Sequence, residues 1–159
     1  MDKFKDGNGL SPKKKKLCLE EGFFLLSIGL HRILKAKLKT MNIGSTILLV
    51  EDNATFRELV QEVMGEHGFR IVEATNGAEA LEVMEKISTQ AAIVDLEMPV
   101  MNGLEFTKRV KEKDPTYPII LVTAYAAFHS PQEILAANVD AFLQKPISMD
   151  KLVKVIEQL

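Results

Sequence analysis

The sequence predicts an α/β domain in which a five-stranded parallel sheet is covered by helices on both faces. One observation is a series of short, continuous apolar runs rich in branched residues, which is typical of strands buried on both sides. The other is that an amphipathic helical pattern follows each run. Five strand-helix units in succession favour a parallel sheet, because each helix carries the chain back across one face.

Each predicted element has its own pattern. The first strand, at 47–50, reads Ile-Leu-Leu-Val, and the helix after it presents Phe56, Val60 and Met64 on one face. Gly68 lies just past that helix and is a typical stop signal. The other strands are predicted at 70–73, 91–94, 119–122 and 141–143, and the other helices at 78–87, 104–113, 131–137 and from Met149 through Ile156.

Composition excludes several classes of site. A chain of 159 residues, 47% hydrophobic and 26% charged, is large enough for one domain with a packed core. The single cysteine, Cys18, excludes an internal disulfide, and no Cys or His grouping has zinc-ligand spacing. His31, His67 and His129 are scattered along the chain, which argues against a histidine-centred catalytic site.

The first 44 residues differ in charge from the rest. They contain ten Lys or Arg and four Asp or Glu, a net charge of +6, whereas the remaining residues carry −8. An acidic body without a basic stripe argues against nucleic-acid binding by that body. We therefore divide the chain into a basic segment at 1–44 and a domain at 45–159.

The basic segment has three interpretations. It is a leader upstream of a start at Met41, a helix that binds a membrane surface or a partner, or a short coiled coil. Its longest apolar run is too short to span a bilayer. Residues 17–40 have the spacing of an amphipathic helix, whose seam contains Leu19, Phe23, Leu26, Leu30 and Ile33.

Side chains capable of chemistry follow four of the five predicted strands. Glu51 and Asp52 follow the first strand, Asp95 the third and Thr123 the fourth, and Lys145 comes soon after the fifth. The carboxyl ends of parallel strands meet at one edge of the sheet, where open α/β sheets bind ligands. We therefore expect these five side chains to lie together.

The charges of these five side chains predict that a divalent cation binds among them. Three neighbouring carboxylates repel one another and favour proton uptake, unless a divalent cation offsets the repulsion. Mg²⁺ prefers carboxylates, water and phosphate oxygens as ligands. Glu51, Asp52 and Asp95 with Mg²⁺ and Lys145 sum to zero charge. Phosphorylation of Asp95 would add about two negative charges, and the Thr123 hydroxyl is a short donor for a phosphoryl oxygen.

Four motifs resemble those of response-regulator receiver domains of two-component signalling. They are Val-Glu-Asp-Asn at 50–53, Asp-Leu-Glu-Met-Pro-Val-Met-Asn-Gly at 95–103, Thr-Ala at 123–124 and Lys-Pro at 145–146. The resemblance covers residues 46–159. It implies a flavodoxin-like, doubly wound (βα)5 fold with the strand order 2-1-3-4-5. We expect a cytoplasmic receiver that either stands alone or is a fragment of a larger regulator.

The resemblance also implies the metal ligands. Asp52 and Asp95 would bind Mg²⁺, or Mn²⁺, directly, and Glu51 would act through water. The backbone carbonyl of Glu97 would complete the protein ligands.

Further roles come from the same resemblance. Asp95 would accept a phosphoryl group from a phosphohistidine on a sensor histidine kinase or a histidine phosphotransfer protein. Lys145 would pair with the phosphoryl oxygens, and Thr123 and Phe142 would form the switch. Pro146 would follow a cis peptide bond. The expected partners are the phosphodonor and an unknown downstream protein, and the expected state is a monomer or a phosphorylation-dependent dimer.

Two other function classes use similar residues. An aspartate-nucleophile phosphatase usually has a second Asp two positions after the first, whereas this sequence has Glu97 there. A pseudo-receiver that binds partners without phosphorylation would typically have lost part of the acidic pair, Asp95 or Lys145. We therefore expect a phosphoacceptor that catalyses only its own phosphorylation and dephosphorylation. Membrane contact, if any, is expected only through residues 1–44.

Overall fold

A computed structural model describes residues 41–124 and 136–159, together with the backbone of residues 23–24. Helices and strands alternate through these ranges. The strands are β1 (Phe23–Phe24), β2 (Thr46–Val50), β3 (Arg70–Ala74), β4 (Ala91–Asp95), β5 (Ile119–Thr123) and β6 (Ala141–Gln144). The helices are α1 (Ala54–Glu66), α2 (Gly77–Lys86), α3 (Gly103–Lys113) and α4 (Met149–Glu157).

Strands β2 to β6 form a parallel sheet in the order β3-β2-β4-β5-β6. This order confirms the expected 2-1-3-4-5 arrangement of a flavodoxin-like fold. The strand order reverses at β2, so β2 and β4 lie side by side in the centre of the sheet. Ligands bind outside the carboxyl ends of the strands at such a switch point.

The core lies on both faces of the sheet. Along β2, Ile47 and Leu49 belong to one apolar cluster, and Leu48 and Val50 belong to the other. This alternation explains the continuous apolar run, because both sets of side chains are buried. The first cluster includes side chains of α1 and α4, and the second includes side chains of α2 and α3. Among the described residues, no helix is long and apolar enough to cross a bilayer.

Short polar side chains begin all four described helices. Asn53, Asn76, Asn102 and Ser148 each accept a hydrogen bond from a backbone N–H of the first turn. Such caps satisfy N–H groups that have no partner within the helix. After α1, Gly68 has a φ of 80°, a left-handed conformation that glycine adopts without steric cost. Each of these helices follows a strand of the parallel sheet, so all four caps lie on the side of its carboxyl edge.

The amino-terminal segment corrects one prediction. Residues Phe23–Phe24 form β1, which pairs antiparallel with β6, so the helix predicted over 17–40 is wrong at these two positions. An edge strand presents unpaired N–H and C=O groups, and β1 supplies partners to part of that edge. Residues 1–22 and 25–40 of the basic segment, and most of the helix predicted at 131–137, lie outside the described residues.

A buried polar network lies at the opposite end of the sheet from the strand-end carboxylates. Lys111 donates from Nζ to Oδ2 of Asp140 and to the carbonyl oxygen of Tyr117, both at 2.7 Å. The same Asp140 oxygen accepts the backbone N–H of Ile119 at 3.0 Å. The Tyr117 hydroxyl lies 2.6 Å from Oγ1 of Thr89. These bonds satisfy polar groups that are costly to bury unpaired.

The Tyr117 hydroxyl is expected to lose its proton only at an unusually high pH. Burial raises the pKa of its hydroxyl from 10.0 to about 12. The folded chain therefore holds the proton more tightly than the unfolded chain, and stability should fall by about 2 kcal/mol as pH rises between these values. Chemical unfolding across this pH range, with tyrosinate absorbance, measures the effect. Tyr117→Phe should remove this loss, and an equally steep fall in the variant would contradict the assignment.

Candidate functional site

Three carboxylates from two strand ends meet at the carboxyl edge of the sheet. Glu51 and Asp52 follow β2, and Asp95 is the last residue of β4. One carboxylate oxygen from each residue lies within 4.8 Å of the others. The central position of β2 and β4 in the sheet therefore brings together residues that are distant in sequence.

Lys145 reaches this cluster from the loop after β6. Its Nζ lies 2.8 Å from Oε2 of Glu51 and 3.4 Å from Oδ2 of Asp95. The same ammonium group lies 4.3 Å from the centre of the Phe56 ring, a cation–π contact. The Lys145–Pro146 peptide bond is cis, as expected. The two carboxylates and the aromatic ring thus hold the Lys145 ammonium group at the acidic cluster.

Burial sets the electrostatics of the two inner carboxyl groups. Glu51 is 1% exposed and Asp95 is 9% exposed, whereas Asp52 is exposed. Burial raises the pKa of both Glu51 and Asp95, and the ammonium of Lys145 opposes this rise in each. With the three carboxylates ionised, one ammonium leaves two negative charges uncompensated. A divalent cation has the charge and the preference for oxygen that such a site requires.

The loop after Asp95 fixes the orientation of its side chain. Oδ1 of Asp95 accepts the backbone N–H of Leu96 at 2.8 Å, and the carbonyl oxygen of Leu96 accepts the N–H of Gly103 at 2.9 Å. The start of α3 consequently packs against β4. A Cβ added to Gly103 would collide with the carbonyl oxygen of Asp95. Glycine is therefore required for this close approach.

Val100 lies in the same loop in a strained conformation. Its φ is 69°, and its side chain is 86% exposed. A left-handed backbone is costly for a β-branched residue and much less so for Asn. We expect Val100→Asn to raise the free energy of unfolding by about 1 kcal/mol. Urea unfolding measures this gain, Val100→Ile is the β-branched control, and a less stable Asn variant would contradict the explanation.

Thr123 and Phe142 lie on neighbouring strands. Thr123 ends β5 and is completely buried, and Phe142 packs against the second core cluster. Leu121 pairs with Phe142, and Thr123 pairs with Gln144. Alternate residues of a strand share a face, so the side chains of Thr123 and Phe142 point to the same side of the sheet. The proximity of the two residues is compatible with a switch.

Glu97 is exposed and follows Asp95 by two residues. The use of its backbone carbonyl as a metal ligand stays a prediction.

Three residues at the site were not singled out from the sequence. Phe56 was assigned only to the core face of α1, yet its ring also contacts Lys145. Arg57 in α1 and Glu73 in β3 form an ion pair at 3.2 Å beside the loop that carries Glu51. The strand predicted at 70–73, which is β3 in the structure, had no assigned residue at the carboxyl edge of the sheet. Glu73 links this strand to the site through its ion pair with Arg57. The signal in the sequence was Arg57 itself, a cationic residue five positions after Asp52 to which no role had been assigned.

Comparison with known proteins places the domain in a family. A model of the response regulator receiver domain matches residues 47–157. The chain is 31% identical over 106 residues to sporulation initiation phosphotransferase F of Bacillus subtilis, covering 67% of this chain and 86% of that protein. It is 34% identical over 107 residues to a cyclic di-GMP phosphodiesterase of Thermotoga maritima, covering 67% of this chain. The chain spans only 28% of the length of that phosphodiesterase.

A solved structure supports the same grouping. The response regulator protein TrrA of Thermotoga maritima, in complex with Mg²⁺ and BeF, has a TM-score of 0.65 and 34% sequence identity. The match covers 72% of this chain and 99% of that one.

Proposed function

Because this chain belongs to the response regulator receiver domain family, we propose that Asp95 is the aspartate that accepts its phosphoryl group. The observation that carries the proposal is the grouping of Asp95 with Glu51, Asp52 and Lys145. Asp95 is the carboxylate of the set at the end of the central strand β4, and its Oδ2 lies 3.4 Å from the Lys145 ammonium. Phosphorylation on aspartate is the general function of this family.

The acidic cluster fits the metal requirement of the family. Receiver domains bind Mg²⁺ at an acidic pocket, and TrrA is a relative solved with this ion. We propose that Asp52 and Asp95 bind Mg²⁺, or Mn²⁺, directly, with Glu51 acting through water and the carbonyl of Glu97 as a further ligand. The bound ion would offset negative charge on the phosphoryl oxygens. The hard oxygen donors and two uncompensated negative charges support this ligand set.

The chemistry assigned to the chain's own residues is a phosphoryl transfer. A carboxylate oxygen of Asp95 forms a bond to phosphorus, and the N–P bond of the phosphohistidine donor breaks. The electron pair of that bond stays on the donor's imidazole ring. Lys145 pairs with an oxygen of the transferred group and offsets its charge. The domain thus contributes positioning and electrostatic stabilisation, and we propose that it catalyses only its own phosphorylation and dephosphorylation.

The proposed conformational switch responds to the negative charge that phosphorylation adds to Asp95. We assign Thr123 as the residue whose hydroxyl donates to a phosphoryl oxygen, and Phe142 as the residue that fills the space Thr123 leaves. Phosphorylation then shifts the population toward the arrangement that interacts better with the new group. Phe142 has no hydroxyl, so its inward position leaves no polar group unpaired. The surface around β6 and α4 would be the one that a partner protein binds after this change.

The proposed partners follow from the chemistry of the acceptor. The donor is a sensor histidine kinase or a histidine phosphotransfer protein, and receivers of this family are phosphorylated by such proteins. The downstream target would be another protein rather than nucleic acid, because the domain at 45–159 is acidic. We propose a cytoplasmic location, in which the donor has access to Asp95.

Incubation with acetyl phosphate tests the proposal. With Mg²⁺ present, we expect the intact mass to increase by one phosphoryl group, and hydroxylamine to remove it as expected for an acyl phosphate. Chelation with EDTA should reduce labelling to background, and added Mn²⁺ should restore it. Labelling that is equal with and without the chelator would refute the metal-dependent mechanism.

A further inference from the structure

The Arg57 side chain contacts the loop that carries two of the carboxylates. Its Nη1 donates to the carbonyl oxygen of Glu51 at 2.8 Å and to that of Asp52 at 3.0 Å. Its Nε lies 3.2 Å from Oε2 of Glu73 on β3. A single guanidinium therefore joins α1, the loop after β2 and the neighbouring strand.

The guanidinium is itself held in place. The Arg57 side chain is 16% exposed, and that of its partner Glu73 is 35% exposed. Glu73 lies opposite Leu49 in the register between β3 and β2, so its position is fixed by the sheet. An Arg fork can bond to a carboxylate and to carbonyl oxygens at the same time, whereas the ammonium of Lys lacks this planar geometry. The anchoring thus depends on Arg specifically.

The contacts of Arg57 are to the backbone of the acidic pair. The Glu51 carboxylate instead bonds to Lys145 at 2.8 Å and accepts the N–H of Asn53 at 3.3 Å. The N–H of Glu51 donates to the carbonyl oxygen of Ala74 at 3.0 Å. The loop is consequently held from its N–H side by β3 and from its carbonyl side by Arg57. The bonds to Arg57 and to Ala74 use only main-chain atoms of Glu51 and Asp52.

We propose that Arg57, anchored by Glu73, is a positioning residue that holds Glu51 and Asp52 in the arrangement needed to bind the divalent cation. This inference rests on the proposed function, because it assumes that the acidic cluster is the Mg²⁺ site. Groups that orient metal ligands typically change metal affinity by ten-fold or more when they are removed. Loss of Arg57 should therefore weaken Mg²⁺ binding although no ligand has been changed.

The test compares four chains by titration with MgCl₂, monitored by backbone amide NMR shifts. They are the wild type, Arg57→Gln, Glu73→Gln and Arg109→Gln. We expect Arg57→Gln to raise the Mg²⁺ dissociation constant by about ten-fold, and Glu73→Gln to raise it less. Arg109 forms an exposed ion pair with Glu105 on α3 at 2.6 Å, so Arg109→Gln is the matched control and should bind as the wild type does.

A second readout separates positioning from a general loss of structure. At saturating Mg²⁺, the rate of phosphorylation by acetyl phosphate in Arg57→Gln should return to within about two-fold of the wild-type rate, because the ligands themselves remain. Arg57→Lys, which keeps the charge but not the fork, should bind Mg²⁺ more weakly than the wild type. If Arg57→Gln proves unfolded, Arg57→Lys and Glu73→Gln provide the same comparison.

The outcomes distinguish this inference from the function on which it rests. An Arg57→Gln chain that is folded and binds Mg²⁺ as tightly as the wild type would overturn the positioning role and leave the proposed function intact. Equal weakening in Arg57→Gln and Arg109→Gln would also overturn it, because the effect would then be one of net charge. A wild-type chain that binds no Mg²⁺ would overturn both proposals.

Discussion

Replacement of Asp95 by Asn is expected to abolish phosphorylation by acetyl phosphate, with labelling reduced to background. The amide nitrogen and oxygen of Asn are far weaker nucleophiles than a carboxylate, and the variant would also lose one of the proposed metal ligands. The fold should survive, because the Asn Oδ1 can still accept the Leu96 N–H that Asp95 now accepts at 2.8 Å. Intact-mass measurement after incubation with Mg²⁺ gives the labelled fraction.

The stability of this variant serves as its internal control. Burial raises the pKa of Asp95, and the nearby charge of Asp52 raises it further, so the ionised carboxylate is disfavoured in the folded state. Without metal, Asp95→Asn should therefore unfold at the same temperature as the wild type or higher, and Mg²⁺ should stabilise it less. Asp150→Asn, which changes an exposed aspartate of α4, should label normally. Persistent labelling of Asp95→Asn would remove Asp95 from the role of acceptor.

Replacement of Lys145 by Met is expected to slow phosphorylation by about one hundred-fold, the usual effect of removing one group that stabilises transition-state charge. It should also destabilise the metal-free chain by about 3 kcal/mol, because the buried Glu51 carboxylate loses the ammonium 2.8 Å away. Mg²⁺ should bind this variant at least as tightly as it binds the wild type, since a competing positive charge is gone. Acetyl phosphate kinetics, thermal unfolding and Mg²⁺ titration measure the three effects.

Lys111→Met is the matched control for Lys145→Met. Lys111, like Lys145, forms an ion pair with a carboxylate, its Nζ lying 2.7 Å from Oδ2 of Asp140. Lys111 is buried, Lys145 is half-buried, and the two lie at opposite ends of the sheet. Its replacement should lower stability by a comparable amount while the phosphorylation rate of the folded fraction is maintained. If the two variants lost phosphorylation equally, the effect of Lys145 would be on folding rather than on the transferred group.

The framework of the fold could be predicted because burial imposes a pattern on the sequence. The run at 47–50 is apolar throughout because its residues alternate between two core clusters. Boundaries were less certain: Asp95 and Thr123 were predicted just after their strands, and each is the last residue of its strand. The difference is small because strand ends depend on individual hydrogen bonds rather than on burial. The strand at Phe23–Phe24 was missed because it is defined by pairing with β6, which leaves no periodic pattern.

The candidate site was only partly predictable for a related reason. The five residues that follow strands could be grouped from topology, since parallel strands end at one edge. The contact of Phe56 with Lys145 and the bridge from Arg57 to Glu73 join elements that have no fixed sequence separation. The roles of Phe142 and of the Glu97 carbonyl came from family resemblance rather than from physical reasoning.

Gly103 makes the position of Asp95 sensitive to substitutions that alter no charge. The first residue of α3 lies so close to the Asp95 carbonyl oxygen that even a methyl group would collide with it. A Gly103→Ala chain would keep every ionisable side chain of the site, yet a mutational survey scored by signalling should group it with the Asp95 variants. The residues that this buried position can accept are therefore limited by the separation of a helix and a strand as well as by the chemistry of carboxylates.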